Sequence, residues 1–205
     1  MRIVSAQELE GWLATGKVLE QDARGPKVVA LENGLFLKIF HTRRYPLLAR
    51  LQPAAKRFAD NAHQLHELGI PVPSVQELLW INKSAGLSAC LYRPLPGTSV
   101  EDIYKNNPDG IVTLLPALAR FIWNLHKRGV YFRSLHLGNI IQLPGEQLGL
   151  IDILDLQFRR REINRWLVQR NFRHLQHYLN RRKLTEFPLQ TLVEQYRQAD
   201  RHNTR

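Results

Sequence analysis

Gly129-Val130-Tyr131-Phe132-Arg133-Ser134-Leu135-His136-Leu137-Gly138-Asn139-Ile140, followed by Leu148-Gly149-Leu150-Ile151-Asp152, is the stretch whose reading decides the fold. It predicts a loop from Tyr131 to Asn139 and then two short apolar strands, Ile140–Leu143 and Leu148–Ile151. Pro144-Gly145 turns the first strand into the second, because proline presets φ and glycine accepts the reversed backbone of a tight turn. Asn139 closes the loop just before the first strand, and Asp152 ends the second. Each also has a plain reading, as a turn-capping side chain or a helix cap.

Outward from this hairpin the pattern is helical. Upstream, Leu114, Leu118, Phe121, Ile122 and Leu125 form one apolar stripe, with Pro116 placed in the first turn and Gly129 as the stop. Thr98 and Glu101 read as a capping box for a shorter helix. Downstream, Ile163, Trp166 and Leu167, then Leu189, Leu192, Val193 and Tyr196, mark further helical stripes. Pro94-Leu95-Pro96-Gly97 is a stiff connector, so the chain divides into residues 1–93, a hinge at 94–97 and residues 98–205. The first part reads as strands at Lys17–Asp22, Lys27–Leu31 and Leu35–Phe40, the last two joined by Glu32-Asn33-Gly34, a preferred hairpin turn. Pro53 opens a helix along Leu51, Ala55, Phe58, Ala62 and Leu65, which Gly69 and Pro71 end. Strands at Val75–Ile81 and Leu87–Tyr92 follow. Strands with one helix, then a mostly helical part, predict an α+β fold of two lobes with a small-molecule site between them.

The 205 residues are 44% hydrophobic and 23% charged, which excludes wholesale disorder. No apolar run approaches the roughly 18–20 residues of a membrane span. Met1–Gly16 lacks the charged-then-apolar pattern of a secretory signal. The single cysteine, Cys90, excludes an internal disulfide and a cysteine-based zinc site, and its apolar neighbours read as core. A soluble cytoplasmic protein is expected. The formal charge is +11, and Gln157–Arg205 holds twelve Lys and Arg against four Asp and Glu, or +8 of it. Such a surface favours anionic partners: nucleic acid, acidic lipid headgroups or phosphorylated saccharide. A solvated helix face is the plain alternative. The Arg and aromatic mixture of Arg165-Trp166, Arg170, Phe172, Arg173, Tyr178 and Arg181-Arg182-Lys183 would suit nucleic acid, but the aromatics fall largely on the apolar stripe and read as core. His63 with His66, and His174 with His177, are each three apart, with surface or capping roles favoured over a metal.

The segment around Ser134–Asn139 with Leu150-Ile151-Asp152 resembles the catalytic and metal-binding loops of the protein-kinase-like fold. The chain is most similar there to bacterial lipopolysaccharide-core sugar (Kdo/heptose) kinases and to the small toluene tolerance proteins. Gly69-Ile70-Pro71-Val72-Pro73 and Arg170-Asn171-Phe172-Arg173-His174-Leu175 share that family's character. The resemblance implies a bilobal fold, with an antiparallel N-lobe sheet bearing one helix and a compact, mostly helical C-lobe. It implies an ATP-dependent phosphotransferase for a sugar or lipopolysaccharide-core acceptor, working at the inner face of the inner membrane. By that resemblance Lys38 would meet the α/β-phosphates of ATP, and Asn139 and Asp152 would hold Mg²⁺. Arg93–Gly97 would hold the adenine, and Gly25 is the one glycine of the phosphate-covering loop. Ser134 stands where the family carries its catalytic aspartate, a departure that removes general-base help worth about 10²–10⁴-fold. His136 belongs to the motif as a loop residue or a substitute base. Asp155 either assists the metal or caps the next helix. Phe58 falls near the register of the lysine's usual glutamate, leaving Asp60, ahead of Glu67, as the carboxylate for Lys38. The alternative is a pseudokinase, a nucleotide-binding or structural module, and Ser134 is the feature that discriminates. Oligomeric state is left open.

Overall fold

Asn33-Gly34 makes the turn its chemistry asks for. Gly34 takes φ +78°, and Leu31 N–H donates to the Leu35 carbonyl at 2.8 Å. The computed structural model describes residues 1–41 and 46–202, the side chains at 46–48 and 200–202 excepted. The fold is α+β, with mostly antiparallel sheet, and it forms two compact units, Met1–Leu95 and Pro96–Arg205.

The first unit opens with two elements the sequence pattern does not single out, β1 (Arg2–Ile3) and α1 (Ala6–Thr15). Ser5 caps α1 by accepting the Glu8 N–H, yet no α1 residue is fully buried, so the stripe is shallow. β2 (Lys17–Asp22), β3 (Gly25–Ala30) and β4 (Phe36–Phe40) form a meander. α2 (Pro46–Leu51) and α3 (Ala54–Glu67) precede β5 (Ser74–Asn82) and β6 (Leu87–Arg93). The sheet order is β1-β5-β6-β4-β3-β2, and β1 runs parallel to β5. One face packs Val29, Leu37, Ile39, Leu79, Ala89 and Leu91 against Leu9, Trp12 and Leu13 of α1. On α3, Phe58 packs its ring against Phe40 and Tyr92 at 5.7 and 5.9 Å. The expectation of one helix in this part is corrected to three among the described residues. Leu51 belongs to α2 and is 78% exposed, because Pro53 at the start of α3 disfavours helical geometry in the residue before it.

At the start of the second unit, the φ of +152° at Gly97 and its close approach to the Gln142 carbonyl leave no room for a Cβ. Then come β7 (Thr98–Ser99), α4 (Val100–Asn106), α5 (Ile111–Lys127) and β8 (Val130–Phe132). The hairpin of β9 (Ile140–Gln142) and β10 (Leu148–Leu150) forms, with β7 on its far edge. β11 (Leu156–Phe158) pairs antiparallel with β8, and α6 (Arg165–Arg182) and α7 (Leu189–His202) close the unit. Two local expectations shift. Ser99 rather than Thr98 caps α4, accepting from Asp102 N–H, which frees Glu101 for another role. Pro116 lies beyond the first turn of α5, since the helix starts at Ile111. Among the described residues no helix is long and apolar enough to cross a membrane.

Candidate active site

Two short ladders in the second unit frame the loop from Arg133 to Asn139. In the β8–β11 ladder Phe132 faces Leu156, so the residues just beyond, Ser134 and Asp155, come together. In the β9–β10 ladder Ile140 faces Leu150, which sets Asn139 beside Ile151. The side chains complete the arrangement. Ser134 Oγ donates to Asp155 Oδ2 at 2.6 Å, and Arg133 Nε lies 3.5 Å from the same oxygen. The buried Asn139 donates through Nδ2 to the Ser134 carbonyl at 3.0 Å, and its own carbonyl accepts Ile151 N–H at 3.0 Å. Asp152 follows in left-handed geometry, φ +51°, with its side chain exposed.

The donors suit a hard divalent cation. Hydrogen bonding of Nδ2 to Ser134 leaves the amide oxygen of Asn139 as its ligating atom, and Asp152 adds a carboxylate held nearby by the Ile151 bond. The second Asp155 oxygen, Oδ1, is buried with no hydrogen-bond partner among the described residues. Asp155 therefore places a carboxylate beside Ser134.

His136 lies behind the loop. Its ring stacks on Tyr178 at 4.0 Å and 5°, and burial pushes the imidazole down to about 4 against the opposing charges of Asp152 and Glu101. It is neutral at pH 7 and is tied into a buried polar cluster that the sequence reading missed. Glu101, 5% exposed, accepts from the Tyr178 hydroxyl, from Arg182 Nε at 2.9 Å and from Lys105. Burial alone would raise this carboxyl, but Lys105 and Arg182 outweigh it and hold it below the usual range. Gly138 closes the contact, since a Cβ there would meet the Tyr178 hydroxyl at 2.8 Å. The one sequence signal for Glu101 was its capping-box spacing, and that pointed to the wrong role.

In the first unit, Lys38 sits on β4 opposite Cys90, half-buried, with Nζ 5.9 Å from the Phe58 ring and 6.0 Å from Phe40. It lies on the α3 side of the sheet, away from the Leu37 and Ile39 face. Asp60 is engaged elsewhere: it is 53% exposed and accepts from Lys56 at 2.8 and 2.9 Å. Burial raises the Cys90 thiol to about 12, consistent with core packing. Gly25, φ +114°, ends a tight β2–β3 turn in which Asp22 accepts the Arg24 N–H, and Arg93 is exposed at the end of β6. Among the described residues no three metal-ligating His, Cys, Asp or Glu side chains cluster, and His63 pairs with Glu67. Trp166 corrects the reading of α6: it is 60% exposed, whereas Tyr178 is buried.

No family model matches the chain, and no curated protein matches it significantly.

Proposed function

We propose that the chain is an ATP-dependent phosphotransferase of the protein-kinase-like class, acting on an alcohol of a sugar or lipopolysaccharide-core type acceptor. The 2.6 Å contact between Ser134 and Asp155 carries this reading. It supplies a carboxylate beside the position where the resemblance expects the catalytic aspartate. Asp155 Oδ1 is the atom available to take the acceptor's proton, while Ser134 orients the carboxylate through Oδ2. Asn139 and Asp152 would hold Mg²⁺, which neutralises charge on the transferring phosphoryl group. Lys38 would contact the phosphates, its ammonium kept on the α3 side of the sheet by the ring of Phe58.

Thermal unfolding with ATP and magnesium, followed by an ATP-consumption assay, tests the reading. Bound nucleotide at a hundredfold excess over Kd raises stability by about 2.7 kcal/mol, and Asp152→Asn should remove most of that. Asp155→Asn should lower ATP consumption by about 10²–10⁴-fold while leaving nucleotide binding in place. Ser134→Asp should not rescue turnover, because the new carboxylate would face Asp155 as a like charge. Absence of any magnesium-ATP stabilisation in the native chain defeats the proposal and leaves the pseudokinase alternative.

A further inference from the structure

Trp166, Gln169, Arg170, Arg173, His174 and His177 recur at helical spacing on one side of α6 and line a cavity of about 180 Å³. Arg170 and Arg173 are permanent cations, and no carboxylate is among the lining residues. His174 Nε2 is buried without a hydrogen-bond partner among the described residues. Arg170 is already positioned, its guanidinium 5.3 Å from the exposed Trp166 ring, so less side-chain freedom remains to be lost on binding. Burial, then the charges of Arg170, Arg133, His177 and Arg173, hold the His174 imidazole below its ordinary value. A neutral ring among cations, with one buried nitrogen unused, favours an anion over a metal.

We infer that this side of α6 binds a phosphomonoester dianion, with Arg170 and Arg173 pairing its oxygens and His174 Nε2 donating to it. Two fixed cations match the dianion's charge, and arginine's fork suits phosphate oxygens. Trp166 adds a flat apolar wall for a ring carried on the phosphate. The site goes beyond the proposed phosphotransferase activity and does not depend on it.

Calorimetric titration of the full chain, without nucleotide, tests the inference with inorganic phosphate, glucose 1-phosphate and glucose. Both phosphates should bind and glucose should not. Arg170→Gln with Arg173→Gln should weaken binding at least tenfold, and His174→Asn severalfold, with both variants folded by circular dichroism. Arg159→Gln with Arg160→Gln, exposed cations outside the cavity, should leave it unchanged. Asp152→Asn should also leave it unchanged, which separates this site from the nucleotide reading. Vesicles with phosphatidic acid and a short single-stranded RNA form the remaining arms. The inference is overturned if the Arg170 and Arg173 pair can be removed without loss, if the control pair costs as much, or if only vesicles or RNA bind.

Discussion

Helix α6 anchors the Val130–Asn139 segment through two buried polar clusters of opposite character. Near its start, Asn171 donates to the Phe132 carbonyl at 2.8 Å and its Oδ1 lies 3.1 Å from His126 Nε2, while the other His126 nitrogen meets the Tyr196 hydroxyl at 2.9 Å. The Phe132 carbonyl can only accept, so the Asn171 NH₂ faces it and His126 must donate from Nε2, leaving Nδ1 to accept from Tyr196. Every partner is neutral. Near its end, Tyr178 and Arg182 converge on the charged Glu101. The first cluster holds the strand before Ser134 through uncharged hydrogen bonds alone. The second holds His136 and Gly138 by charge, on a carboxylate whose cations are half in solvent, Arg182 at 48% and Lys105 at 39% exposed. A neutral cluster is vulnerable to losing one member or gaining a proton. A charged one has redundant donors and yields more gradually.

The sharpest way to break this contrast is Asn171→Leu, which strands the His126 Nε2–H and takes one of two donors from the Phe132 carbonyl, Leu135 N–H at 3.1 Å remaining. At about 1–3 kcal/mol for the unsatisfied His126 N–H and about 0.5–1.5 kcal/mol for the hydrogen bond lost at Phe132, the loss should be about 1.5–4.5 kcal/mol in urea unfolding. A loss under 1 kcal/mol would mean that water or a rearrangement satisfies the His126 N–H.

Acid should then distinguish the clusters. Burial, only partly opposed by Asn171, lowers His126 to about 4. The unfolded chain therefore binds the proton more readily, and stability present above about pH 6.5 is lost as pH falls toward 4. This loss should reach about 3 kcal/mol at one pKa unit per 1.36 kcal/mol. His136 acts in the same direction and window, so the difference between wild type and His126→Gln isolates His126. Glu101 contributes above the unfolded carboxyl range and is lost only at lower pH, as it protonates. Identical pH profiles for wild type and His126→Gln would remove the distinction.

Tyr178→Phe should be milder, costing about 1.5–3 kcal/mol for a hydrogen bond to a charged group while the ring stack on His136 persists. Its cost should fall as acid neutralises Glu101, which differential unfolding titrated downward from pH 7 would read. The smallest effect belongs to an exposed ion pair. Lys56→Ala, which frees Asp60, should cost under about 1 kcal/mol and nothing measurable at high salt. A larger value would mean that Asp60 is more than a surface residue.

The elements that rest on local chemistry were legible in the chain. Asn33-Gly34, Gly129 and Pro144-Gly145 punctuate the structure as their backbone preferences require, and the alternation through Leu35–Phe40 marks β4. The hairpin that sets Asn139 beside Ile151 was also readable, since both its strands and its turn lie within a dozen residues. Local pattern could not decide what each polar residue meets. Ser134 and Asp155 are joined by a β8–β11 ladder across 21 positions, and Glu101 and Tyr178 by helix packing across 77. Spacing reports which face of an element is apolar, but a carboxylate on a short helix has the same spacing whether it caps, solvates or is buried. Trp166 shows the converse: its place on an apolar stripe suggested core, yet α6 is covered only where other elements reach it. Periodicity is a property of one segment, whereas partner and burial are set by which segments the chain brings together.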